Sequence, residues 1–286
     1  MTLVLVAIDF TRAAGARNCW PAVITPIISI DLTIRCSMAT LELPKSSRTV
    51  VIVALVALGA TLYRVCALDG GTLWLVAPCF LVSGFLGDLL TGLAHFGFDY
   101  VFPAKMPILG PIAAEFRQHH DRPTLDPSDY IVNLSKGSYA SLPLSVIVWM
   151  ASARPGSDWI SLAIVYTLLA MSFWAFFFHQ IHSYAHMGAC LSPEEFKRNV
   201  ARISRLPDLD TQRREFAKLF DAAPIPPVIR FLQRCRILLN PETHNLHHIS
   251  FESDFSSVNG WSDPLMNRLF GPLARRMKAK QRSPEA

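Results

Sequence analysis

The sequence predicts an all-α integral membrane protein, with about four transmembrane helices and a histidine-rich cap on the cytosolic side. Three observations carry that expectation. The 286-residue chain is 51% hydrophobic and only 17% charged, where soluble domains average about 25% charged. Its apolar residues are bunched into runs that approach the roughly 20 residues a bilayer requires. All nine histidines fall into four short clusters: His95; His119-His120; His179, His182 and His186; and His244, His247 and His248. None is left for an ordinary core or surface position.

Composition also excludes classes. The net charge is +5, but the basic residues sit beside apolar segments, so anionic headgroups rather than nucleic acid are the expected counter-charge. The six cysteines are widely spaced with no CxxC, which gives neither a disulfide framework nor a thiolate zinc site.

Taken in order, residues 1–49 read as an N-terminal extension, and residues 50–286 as the membrane domain. The first 37 residues hold Arg12, Arg17 and Arg35 with few acids. They fit a targeting leader or an over-extended start before Met38. Spans are expected at about 50–68, 73–98, 139–153 and 160–178, the third being short for a full crossing. With four crossings, the ends of the second and fourth spans share one membrane face with the loop at His119-His120 and the tail at His244. The tail after His186 carries 16 of the 27 Lys and Arg residues, whereas the turns at 69–72 and 154–158 carry none and one. The positive-inside rule puts that face in the cytosol. Residues 192–221 read as polar and helical. The run from Val228 to Leu239 reads as an interfacial helix or, failing that, a buried one. Asn133-Leu134-Ser135 is a glycosylation acceptor that should go unused on this face.

The clusters have metal-ligand spacing. His179, His182 and His186 share one helical stripe, as do His244, His247 and His248. Asp88, His95 and Asp99 share another, and Glu115 is one turn before His119. Carboxylates at such positions orient ligating imidazoles, so Asp88, Asp99, Glu115, Asp126, Asp129 and Glu252 are expected to support the ligands. Asp88, midway along an apolar span, is costly there unless it has a function. A catalytic zinc takes about three protein ligands. Eight or nine imidazoles therefore suit two ions. Imidazole serves iron, copper and zinc alike. Placement at the membrane surface favours iron, because the hard chemistry on lipid chains is C–H oxidation by O₂. A two-iron oxygenase or desaturase is the expectation.

Gly87-Asp88-Leu89-Leu90-Thr91-Gly92-Leu93-Ala94-His95, Glu115-Phe116-Arg117-Gln118-His119-His120 and Gln180-Ile181-His182-Ser183-Tyr184-Ala185-His186 resemble the signatures of the Kua family of membrane lipid desaturases. So do Asp126-Pro127-Ser128-Asp129 with Asn133, His244-Asn245-Leu246-His247-His248, Asn259-Gly260-Trp261 and Pro264-Leu265. Members of that family are plasmanylethanolamine desaturases, which make the vinyl ether of plasmalogens, and plastid enzymes acting on the palmitoyl chain of phosphatidylglycerol. The resemblance implies that His95, His119, His120, His182, His186, His244, His247 and His248 ligate two Fe²⁺ ions. It also implies O₂ as oxidant, electrons from cytochrome b5 or ferredoxin, and a membrane phospholipid substrate. Endoplasmic reticulum, bacterial inner membrane and plastid membrane are all compatible with it. Two positions depart from the pattern: His179, a ninth ligand or a supporting group where relatives carry an amide, and Thr243, where relatives carry His.

The alternatives are an acyl-lipid desaturase or hydroxylase with the same centre, hydrolysis at zinc, a metal transporter, and a haem protein. Transport favours ligands staggered along several spans, and bis-His haem uses only two to four of the nine. Both fit poorly with clusters gathered at one end.

Overall fold

The computed structural model describes residues 45–68, 73–121, 127–153, 158–186, 193–221 and 225–282. The leader or over-extended start expected in residues 1–37, and Asp126, lie outside these. The described residues form ten α-helices and no strand: α1 (Lys45–Cys66), α2 (Val76–Phe96), α3 (Leu109–Asp121), α4 (Tyr130–Ala151), α5 (Trp159–Ala185), α6 (Pro193–Ile203), α7 (Leu209–Asp221), α8 (Pro227–Arg234), α9 (Pro241–Ser250) and α10 (Asp263–Arg282). A π-helical turn, Gly97–Val101, extends α2.

Three helical stretches are long and apolar enough to cross a bilayer: Ser47–Cys66, Val76–Val101 and Trp159–Ala185. Their outward faces are greasy, with Ile52, Val56, Leu81, Ile160 and Ile164 all exposed, as lipid contact requires. The expected third span differs. Run 139–153 is the second half of α4, whose first half carries Asn133, Ser135, Lys136 and Ser138. At 22 residues α4 reaches about 33 Å, but those polar residues keep it below the hydropathy of a span.

The same residues explain how α4 packs. Ser135, Gly137, Ser138, Ser141 and Ser145 are buried, and α4 lies chiefly against α5 and α1. Small side chains let helix backbones approach closely. At Gly137 the approach is extreme: a Cβ there would lie 2.2 Å from the Phe176 carbonyl oxygen. Asn133 is buried and donates to Gln180 Oε1 at 3.3 Å, so the glycosylation acceptor is held inside the α4–α5 contact.

The tail folds over one end of this bundle. Helices α6 and α7 join Ile203 and Phe216 to Leu246 of α9 in one apolar cluster, so the polar, helical segment braces α9. The segment expected to be interfacial is a shorter helix, α8, with Val228 and Phe231 exposed. Leu239, at its expected end, is instead buried with Ile181, Ala185 and Val258. Met266 and Ala274 of α10 pack with Phe96 of α2 and Phe255.

Candidate metal centre

Each histidine cluster ends a helix. His95 lies in the last turn of α2, and His119 and His120 in the last turn of α3. His182 is in the last turn of α5, with His186 as its C-cap. Helix α9 begins at Asn240, whose side chain accepts from Thr243 N. It is pinned across α5 by Asn245, which donates to the Ala185 carbonyl at 3.1 Å. Thr243 also donates its hydroxyl to Asn240. It therefore braces the Asn240 cap of α9 rather than serving the centre.

Two groups of donors result. His119, His182, His186 and His244 form one; His95, Asp99, His120 and His247 form the other, and within each the ligand atoms lie within 4.8 Å of one another. In the first group the Nε2 atoms of His182, His186 and His244 make a triangle with sides of 2.9, 3.0 and 3.0 Å. His119 Nε2 joins it, 3.2 Å from His186. In the second, His95 and His120 bring their Nε2 atoms to 3.1 Å. The His248 ring stands between, with centroids 5.1 Å from His244 and 4.9 Å from His120.

This donor set fits cations. Three nitrogens aimed at one another cannot all be satisfied by shared protons, whereas one ion about 2 Å from each satisfies them together. Asp99 makes the same case. Both its oxygens are buried without a hydrogen bond, yet they face His95, His120 and His247 at 3.6, 3.6 and 3.5 Å. A desolvated carboxylate is expensive unless paired. The two groups could hold a two-metal site.

Protonation agrees. Burial, and then His179 and the Lys136 ammonium, lower the pKa of His119 to about 4. Burial first, and neighbouring imidazoles next, push His120, His186, His244 and His248 well below the ordinary value. Metals bind the neutral imidazole, so these ligands are ready at neutral pH. His247 differs: burial lowers it, but Asp99 and the Ser253 carbonyl outweigh that and raise it.

Orientation comes partly from a loop whose role sequence reasoning missed. His247 Nδ1 lies 2.7 Å from the Ser253 carbonyl and His95 Nδ1 3.4 Å from Ser257 Oγ. Such contacts leave Nε2 free for a metal. Asp88 builds this loop. Its Oδ1 accepts from the backbone of Val258, Asn259 and Gly260, and its Oδ2 from the Ser262 backbone and hydroxyl, all at 2.8–3.1 Å. Gly260, at φ +78°, supplies the turn that aims these N–H groups inward. Asp88 thus acts through the loop, not on an imidazole. The pairing of Asp88 with Asn259-Gly260-Trp261 was visible only as two separate motifs.

Three other expected carboxylates, Glu115, Asp129 and Glu252, stand elsewhere. Glu115 pairs with Lys136 at 3.0 Å. Asp129 is exposed at the start of α4. Glu252 lies past Phe251, whose left-handed conformation ends α9, and it pairs with Lys278 at 3.3 Å. Among the described carboxylates, only Asp99 joins the donors. His179 belongs to neither group and instead lines a neighbouring cavity.

Comparison with known proteins agrees with these motifs. Residues 84–205 match the lipid desaturase domain. The matched stretch holds His95, His119, His120, His182 and His186, and α9 completes both groups from beyond it. The chain is also 25% identical over 222 residues to a protein of Myxococcus xanthus called plasmanylethanolamine desaturase, covering 76% of this chain and 66% of that protein, just under two thirds of its length. No solved structure matches.

Beside the histidines lies a cavity of about 710 Å³, within the usual size of ligand sites. His95, His119 and His182 line it together with the apolar Leu90, Ala94, Leu144, Met171 and Phe178. Met171 stands 11 residues before His182 on α5, about 16 Å at the helical rise. The cavity therefore runs along the membrane helices up to the imidazoles.

Proposed function

We propose that this protein is an O₂-dependent di-iron desaturase that introduces the vinyl ether double bond of plasmalogens. The observation that carries the reading is the apolar, lipid-depth cavity lined by imidazoles of both donor groups. His119, His182, His186 and His244 would hold one iron, and His95, Asp99, His120 and His247 the other, with His248 standing between the two groups. Bound there, the pair would couple removal of two hydrogens from adjacent carbons to reduction of O₂ to two waters, with two electrons and two protons supplied. The electrons come from a small electron-transfer protein on the histidine face, which is read as cytosolic from the basic tail. The chain's own residues position the lipid: Leu90, Leu144 and Met171 hold the alkyl chain dry, and His95, His119 and His182 meet the carbons nearest the headgroup. This reading agrees with the name of the Myxococcus relative and with a site at the helix ends rather than deep in the bilayer.

The test is lipid analysis of cells that lack plasmalogens, are fed ether lipid, and express the intact chain or His247→Ala. Vinyl ether should appear only with the intact chain. A new acyl double bond without vinyl ether would move the substrate to acyl lipids. Identical lipids from both forms would defeat the reading.

A further inference from the structure

Among the described residues lining the cavity, Glu115 and Lys136 are the charged side chains apart from the imidazoles. Lys136 Nζ donates to Glu115 Oε1 at 3.0 Å, and the two side chains are 38% and 72% exposed. They therefore face both the cavity and the surroundings. Neither serves the donor groups, and the mechanism above leaves them unused.

Their position is specific. Glu115 is one turn before His119 on α3, which puts their Cβ atoms about 6 Å apart. On α4, Lys136 precedes Leu144 by two turns, about 12 Å. The charged end of the cavity and the histidine end thus coincide, with the apolar length running away from both. A phospholipid entering chain-first leaves its headgroup at Glu115 and Lys136 and its first chain carbons by the imidazoles.

We propose that Lys136 and Glu115 form a headgroup subsite for a zwitterionic phospholipid with a primary ammonium, Lys136 taking the phosphate and Glu115 the ammonium. The inference rests on the lipid desaturase reading of the same cavity. A half-exposed ion pair contributes little by itself, so opening it to admit a headgroup costs little. Phosphate on Lys136 and ammonium on Glu115 then give two charge-assisted contacts in place of one. A phosphate and an ammonium joined by two carbons present opposite charges side by side, complementary to the pair. A quaternary ammonium has no N–H to donate to Glu115. A glycerol headgroup leaves the carboxylate facing only negative charge.

The experiment uses the full chain in detergent micelles with an equimolar mixture of ether phospholipids bearing ethanolamine, choline and glycerol headgroups on identical chains. Native mass spectrometry reads the bound lipids, and membranes expressing the same proteins are analysed for vinyl ether. The wild type should favour ethanolamine several-fold. Glu115→Gln should cut the ethanolamine-to-glycerol ratio about tenfold, the effect of losing one hydrogen bond to a charged group. Lys136→Gln should weaken all three lipids alike. The exchange Glu115→Lys with Lys136→Glu keeps an ion pair for folding and should also lose the ethanolamine preference. Unchanged ratios in all three variants would overturn the subsite. Shifted ratios with no vinyl ether from any headgroup would leave the subsite standing and defeat the reaction.

Discussion

Asp88→Asn gives the sharpest test of how the centre is held. Asp88 is fully buried and accepts five hydrogen bonds, three on Oδ1 and two on Oδ2. An amide keeps one oxygen for the three backbone donors. It turns an NH₂ group toward Ser262, whose N–H and hydroxyl had donated to Oδ2 at 2.9 and 2.8 Å. Two hydrogen bonds to a charged acceptor are lost, at about 1.5–3 kcal/mol each, and the three that remain become neutral. The expected loss is about 3–6 kcal/mol, a large part of the roughly 5–15 kcal/mol that folded proteins hold. Purified in detergent, the variant should melt on the order of 10 °C below the wild type. The same loop carries Ser253 and Ser257 to His247 and His95, so the variant should also retain less iron after purification. Melting within a degree of the wild type, at full iron content, would refute the assignment of Asp88 to the loop.

Gly137→Ala places a Cβ 2.2 Å from the Phe176 carbonyl oxygen and 2.8 Å from that of Ala175. The backbone cannot yield locally, so α4 and α5 must part, at a cost of about 3 kcal/mol. Gly59→Ala on α1 meets nothing within 4 Å and should be neutral or stabilise by up to about 1 kcal/mol; thermal melts of the two variants check the contrast. In metal-free protein, burial together with His179 and Lys136 holds His119 at about 4, well below the ordinary imidazole value of about 6.5. The unfolded chain therefore takes up a proton that the folded one refuses. The stability this group contributes is full above about 6.5 and falls as pH drops toward 4. Melting temperature against pH should show that slope, which His120, His186, His244 and His248 share, and His119→Gln should make it shallower by about one proton's contribution; an unchanged slope would remove His119 as a contributor.

Much of this was legible in the chain because periodicity and hydropathy are local. The apolar runs mark three spans to within a few residues at most ends, and i, i+3, i+4 spacing puts His244, His247 and His248 on one face. Composition alone says little about α4: its Ser and Gly residues lower the hydropathy while serving a close contact with α5, which depends on the neighbour and not on the run. The carboxylates show the same division. Asp88, Asp99, Glu115 and Glu252 all stand at metal-supporting spacing. Spacing cannot say where a helix ends or what approaches it. The π-helical turn after Phe96 and the arrival of α3 and α9 set Asp99 among three imidazoles. The left-handed cap at Phe251 turns Glu252 away, α4 brings Lys136 to Glu115, and the 258–262 loop claims Asp88. Hydropathy and spacing along the chain suffice for a helical membrane protein with enough imidazoles for two metals. How those imidazoles divide into two groups, and which carboxylate joins them, follows only from folding, because nitrogens about 3 Å apart come from helices separated by scores of residues.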